Sequence, residues 1–241
     1  MKTAIGIRFY SSSPEELQRL KKTVGQIVEF AVFVLIAVKD DNRKGVLPEI
    51  NSWGLEKVVA VSAGNQEKFV PILNFMVKYI YSKHFDNVFF VSAEITLTEK
   101  IYQKLLGLID DRTLVAGAAL TGHKFNVGEN KGTGETVPWN TLAVWNLKYL
   151  ARTGFPLAGE APYDESFAGL EEIGACAVLQ KLYSNLKIKL VDVGSVDWNI
   201  GDLDSDRIAA HIRKLESKQQ RAQKQMEFLD LPAPSVEHLE V

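Results

Sequence analysis

The chain has 241 residues, 46% of them apolar and 24% charged, with a formal charge of −2. That is enough apolar material for the core of one large domain. The charge balance, without any Lys/Arg cluster interleaved with aromatics, excludes a sequence-independent grip on nucleic acid. The longest apolar run, "FAVFVLIAV" at 30–38, is far short of the roughly 20 residues of a membrane-spanning helix. The opening "MKTAIGIRFY" has no apolar signal-peptide core and Cys176 is the only cysteine, so a cytoplasmic protein without disulfides is expected.

In chain order, "TAIGIRFY" reads as a first strand. "SSSP" then places Ser13 as N-cap and Pro14 in the first turn of a helix running to about Glu29, with Glu15 and Glu16 at its positive end. The run at 30–38 is the second strand, followed by the polar loop "KDDNRKG", and "KVVAVSAGN" is the third, ending in a small-residue turn. "QEKFVPILNFMVKYIYSKHF" has Phe69, Leu73, Met76 and Ile80 at helical spacing. Strand four is the apolar run 88–91, a helix follows near Thr98, and strand five is "TLVAGAAL" at 113–120. Nearly continuous apolar strands joined by helices predict an α/β domain with a mainly parallel sheet covered by helices, whose ligand cleft lies beyond the strand carboxyl ends.

Further on, a Gly-rich polar loop is predicted at 121–136 and a helix at 141–152, stopped by Gly154 and Pro156. Another helix begins near Ala168, "KIKLVDV" is a late strand, and a long helix occupies the region up to Leu229. The division expected is an α/β domain at 1–203, a C-terminal helix at 204–229 and a loose tail at 230–241. That helix is almost wholly polar between Glu216 and Gln225, which leaves it solvated or held against a partner, a homodimer being one form.

Three groups of residues could carry chemistry. Glu94 lies where strand four ends, a position at which α/β enzymes place groups for metal or phosphate chemistry, although a surface Glu capping the next turn explains it as simply. Glu171 and Glu172 open a helix after "FAG", where acids suit the helix dipole and one could also serve as a general base. Glu171, the acid nearer the helix mouth, is the expected general base, and Glu172 is expected to serve first-turn backbone donors and so to matter mainly for stability. His123 could meet a phosphate or sugar hydroxyl, or be merely exposed, and Trp139 at a loop–helix junction could stack on a sugar or base. Trp145 and Cys176 read as core. No Ser-His-Asp order, Cys-x-x-Cys, Walker loop or G-x-G-x-x-G is present.

The order of these pieces resembles the GT-A fold of nucleotide-sugar-dependent glycosyltransferases. "VFFVSAEITLTEKIYQKLLGL" is similar to that family's fourth strand, Asp-x-Asp motif and helix, with Ser92-Ala93-Glu94 in the motif's place, and "FAGLEEIGA" is similar to its acidic-pair helix. The resemblance implies a nucleotide-diphosphate sugar as donor and an unidentified acceptor hydroxyl, which Glu171 or Glu172 would deprotonate. It implies Mn²⁺ or Mg²⁺ at Glu94, although Ser92 lacks the charge of the family's first aspartate. It also implies a donor lying against Ser11, Ala63, Gly64, Asn65, Ser92, His123 and Trp139. A GT-A-like domain that binds nucleotide or sugar without catalysis is the alternative, and a nucleotidyltransferase, lacking its Gly-rich signature after strand one, is a weaker third.

Overall fold

The computed structural model describes residues 1–11, 13–39, 43–64, 69–198 and 215–241. The N-terminal third follows its sequence signals closely. β1 (Thr3–Phe9) leads into α1 (Pro14–Ile27), whose N-cap Ser13 accepts the Glu16 amide at 3.4 Å and whose Leu20, Val24 and Ile27, on one face, are buried. β2 (Val34–Val38), α2 (Arg43–Ser52), β3 (Val58–Ser62), α3 (Phe69–Ser82), β4 (Asn87–Val91), α4 (Glu99–Leu106) and β5 (Thr113–Ala118) follow. α2 falls largely beyond the polar stretch expected to be loop. Thr98 caps α4 by accepting the Ile101 amide at 3.3 Å.

β6 (Gly128–Lys131), β7 (Leu142–Asn146), α5 (Leu147–Thr153), α6 (Glu171–Leu182), β8 (Lys187–Asp192), α7 (Lys218–Leu229) and β9 (Ser235–Glu240) complete the chain. The nine strands form one sheet in the order β3-β2-β1-β4-β7-β5-β8-β9-β6. Five neighbour pairs are parallel (β1–β2, β1–β4, β2–β3, β5–β8, β8–β9) and three antiparallel (β4–β7, β5–β7, β6–β9). β2, β4, β5 and β7 are buried along their whole length, as expected of central strands covered on both faces.

Three expectations are corrected. The helix predicted at 141–152 is split: residues 142–146 form β7, inserted antiparallel between β4 and β5, and only then does Asn146, accepting the Lys148 amide at 3.0 Å, start α5. "LAVWN" is apolar without interruption, so its periodicity could not separate a central strand from a buried helix. The loop at 121–136 contains β6. The supposed loose tail is β9, held parallel to β8 and antiparallel to β6, with Val236 and His238 fully buried. Of the predicted C-terminal helix, 215–229 is described, and its helix α7 lies against the chain's own α6; residues 204–214 lie outside the described residues.

Candidate active site

Strand order changes direction between β1 and β4: the chain builds outward from β1 to β2 and β3, then returns to place β4 on the other side. At such a switch point the two strand ends diverge and leave a crevice. Here it is a cleft of about 630 Å³, within the range of small-molecule sites. It is lined by the ends of β1 (Arg8 to Ser11) and β4 (Val91 to Glu94), and by segments from the other half of the chain that include Asn140, the Ala168–Glu172 stretch, Lys218 and Arg221.

Gly169 (φ 101°) and Leu170 (φ 64°) are both left-handed, turning the chain so that the first turn of α6 meets the cleft. A Cβ at Gly169 would also stand 2.6 Å from Arg221 NH1, so the guanidinium would have to shift to admit one. Asn140 fixes the two acids that follow. Its backbone amide donates to Glu172 Oε1 at 2.5 Å and its Nδ2 to Glu171 Oε1 at 3.4 Å, while its Oδ1 accepts the Trp145 indole N–H at 2.8 Å. Glu172 Oε2 is buried with no hydrogen-bond partner. Burial and the adjacent Glu171 charge push the Glu172 carboxyl up to about 7.

Cations surround this pair. Arg8 lies 3.9 Å from Glu171 Oε1, with its guanidinium carbon 5.0 Å from the Phe69 ring centroid and 5.9 Å from that of Tyr10. Its NH1 is buried without a hydrogen-bond partner. Lys218 sits on the face of Trp139, Nζ 2.6 Å from the ring centroid, and burial pushes its ammonium down to about 6 despite the nearby Glu172. Arg221 donates to the Ala168 carbonyl at 3.0 Å.

The residues singled out in the sequence are only partly brought together. Glu171, Glu172, Ser92, Glu94, Ser11 and Trp139 line the cleft. The Ser92 hydroxyl donates to Glu94 Oε2. Ala63 and Gly64 are not among the lining residues: Ala63 is buried, its amide donating to Val38 O at 2.9 Å, and Gly64 (φ 83°) turns the chain after β3. Asn65 lies outside the described residues. His123 is also absent from the cleft wall. Its Nδ1 accepts the Leu120 amide at 2.8 Å, its Nε2 donates to Val137 O at 3.0 Å, and its ring stacks on Trp139 at 3.6 Å. Burial drives it down to about 3, which keeps the imidazole neutral between its two backbone partners. Trp139, 2% exposed and occupied by His123 and Lys218, forms cleft floor, not an open stacking face. Trp145 and Cys176 are core, as expected.

Sequence reasoning missed Arg8, Asn140, Lys218 and Arg221. A charge near the end of the otherwise apolar "TAIGIRFY" was a usable signal for Arg8. The other three act only through contacts distant in sequence.

No protein-family model and no curated protein matches the sequence. Solved structures do match. A mannosyltransferase from Pyrobaculum calidifontis, solved with GDP-Man and Mn²⁺, superposes with a TM-score of 0.62 at 12% identity over 97% of this chain and 66% of its own. Glucosyl-3-phosphoglycerate synthase from Mycobacterium tuberculosis, solved with Mn²⁺, UDP and phosphoglyceric acid, gives 0.54 at 12% identity over 92% and 78%. A 4-diphosphocytidyl-2C-methyl-D-erythritol synthase from Anaerococcus prevotii gives 0.51 at 11% identity over 89% and 96%. The chain therefore has the GT-A fold of nucleotide-diphospho-sugar transferases, and it spans about two thirds of the mannosyltransferase's length. No helix among the described residues is long and apolar enough to cross a membrane.

Proposed function

We propose that the protein transfers a sugar from a nucleotide-diphosphate sugar to an acceptor hydroxyl, with the Glu171–Glu172 pair as the basic centre. The observation that carries this reading is a buried carboxylate with one unpartnered oxygen, Glu172 Oε2, in a switch-point cleft beside the ends of β1 and β4. A base works best when its pKa lies near the operating pH, and Glu172 is raised to about 7. That favours Glu172 over Glu171, the reverse of the sequence-based expectation. Glu171 instead faces Arg8 and Asn140, a position suited to holding the pair in place.

In this reading the acceptor hydroxyl gives its proton to Glu172 Oε2 as its oxygen attacks the sugar carbon and the bond from that carbon to the diphosphate oxygen breaks. The electron pair of that bond leaves with the diphosphate. Asn140 holds Glu172 through Oε1, leaving Oε2 to receive the proton. Direct displacement of this kind inverts the sugar carbon.

The neighbours solved with Mn²⁺ raise the question of a divalent ion. Among the described residues no three His, Cys, Asp or Glu side chains cluster as a ligand set. One carboxylate with an adjacent hydroxyl does fit a hard cation that takes most of its shell from phosphates and water. Glu94, with Ser92 beside it, would hold such an ion, which when bound would neutralise charge on the departing diphosphate.

The test combines binding with turnover. Nucleoside diphosphates of uridine, guanosine and cytidine, with and without Mn²⁺, should include one that raises the melting temperature by mass action. With the matching sugar donor and an acceptor panel, Glu172→Gln should keep donor binding and lose at least about 10²-fold in transfer. Donor binding with no transfer by wild type across the panel would favour a non-catalytic binding domain, and no nucleotide binding at all would overturn both readings.

A further inference from the structure

We infer that Gln225 of α7 is a positioning residue for the acidic pair: its carboxamide grips the Gly169 carbonyl from outside the cleft and so fixes how the first turn of α6 presents Glu172. The inference rests on the reading of Glu172 as the base proposed above, and it adds a residue that acts on that base without lining the substrate site.

The backbone is the first argument. Gly169 (φ 101°) and Leu170 (φ 64°) are consecutive left-handed residues immediately before Glu171, the first residue of α6. A leucine adopts that conformation only at an energetic cost and keeps it only where its surroundings hold it. The cap itself gives no help, because Leu170 has no side-chain hydrogen bond to the first turn. Besides the burial of the Leu170 side chain, three bonds from elsewhere hold the turn. The Gly169 amide donates to Gly159 O at 2.8 Å, the Arg221 guanidinium to Ala168 O at 3.0 Å, and Gln225 Nε2 to Gly169 O at 2.5 Å. Arg221 and Gln225 share the buried face of α7 and so take successive carbonyls.

The second argument is the side chain itself. Gln225 is 0% exposed, and only one end of its carboxamide is bonded: Oε1 has no hydrogen-bond partner among the described residues and lies against the start of α6, where it would stand 3.4 Å from a Cβ on Gly174. A carbonyl only accepts, so the end facing Gly169 O is the NH₂. A half-satisfied buried amide is a poor way to stabilise a core, and what Gln225 contributes is therefore the bond to Gly169 O. Gln225 does not line the cleft. Among the described residues, Glu172 faces Glu171 and Cys176 on its own helix, Arg8 on β1, and Lys218 and Arg221 on α7. An apolar residue at 225 alters none of these groups, so a change in how Glu172 binds its proton would report a change in its position and burial.

NMR titration of the full chain carrying carboxyl-¹³C glutamate tests this without substrate, the Glu172 signal being the one that Glu172→Gln removes. That carboxyl, raised to about 7 in the folded chain, should titrate at least about one pH unit lower in Gln225→Leu, towards the ordinary glutamate value. With the donor and acceptor found by the nucleotide and acceptor panels, kcat of Gln225→Leu should fall about tenfold or more while donor KM stays within about twofold of wild type, and the rising limb of the pH profile should move down with the carboxyl. Gln225→Met, of similar volume and equally unable to donate, should give the same result. A Glu172 signal titrating at the same pH or higher in the variants overturns the inference. So does a wild-type kcat and pH profile in Gln225→Leu, and so does loss of cooperative melting in both variants, which would make Gln225 a core residue only. No transfer by wild type, with the Glu172 signal moved in the variants, would count against the transfer reading alone and leave the carboxylate positioned by Gln225.

Discussion

Glu172 is placed where its charge is least welcome, inside the first turn of a helix but out of water and beside a second carboxylate. Its folded pKa is raised above the ordinary glutamate value, so the folded state prefers the protonated form. Stability is therefore fullest below about pH 4.5 as far as this group is concerned, and falls as pH rises through about 7. Glu172→Gln should remove that decline, making the variant about 1–3 kcal/mol less sensitive than wild type to a change from pH 5 to pH 8 in denaturant melts. If Glu172 is also the base, wild-type kcat/KM should climb through about pH 7, because the ionised form is the one that accepts a proton. His123 gives the opposite slope. It is held neutral down to about pH 3 but binds a proton near pH 6.5 when unfolded, so each pH unit below about 6.5 should cost about 1.4 kcal/mol of stability through this residue. His123→Gln should flatten that acid limb, which melts between pH 6.5 and 4.5 would show. The acidic pair was legible because two acids opening a helix after "FAG" is a local pattern. The structural role of His123 was not, since its partners are backbone groups of Leu120 and Val137 and the ring of Trp139.

The elements read correctly were those bounded by local signals: Ser13 and Pro14 starting α1, Thr98 starting α4, the left-handed Gly154 ending α5. Those misread had their identity set by neighbours. β7 is a strand because it fills the slot between β4 and β5, something "NTLAVWNLKYL" does not announce. The start of α7 is likewise fixed from outside, since Gly134 lies directly against the Lys218 carbonyl with no room for a Cβ. Gly134→Ala should push the first turn of α7 outward, and with it the two cations that line the cleft. The expected result is a melting temperature lowered by a few degrees, in line with an overpacking cost of about 1–3 kcal/mol. A melting temperature equal to that of wild type in the Gly134→Ala chain would mean that α7 is not held by this contact.

Across the whole molecule, residues 1–91 build the four parallel strands β3, β2, β1 and β4, and the rest of the chain supplies the opposite wall of the cleft and the far side of the sheet. Length and alternation of apolar strands made the first half readable, whereas the second half interleaves strands out of chain order, which no local pattern encodes. β9 is the clearest case. The polar, proline-containing "DLPAPSVEHLEV" looks unfit for a core, yet its strand lies between β8 and β6, and His238 bonds the Asn126 amide at 3.2 Å and Thr136 O at 3.0 Å while stacking on Phe125. Removing residues 233–241 would leave β6 without a partner strand, open the edge of β8 to water and strip two backbone groups of the 121–136 segment of their bonds. Unpaired buried polar groups cost about 1–3 kcal/mol each, and a long exposed edge invites association between copies. The truncated chain should therefore melt well below the full one and sediment as aggregate, with α7 still present in sequence. A melting temperature within about 2 °C of wild type and an unchanged sedimentation coefficient would mean that the sheet is complete without β9.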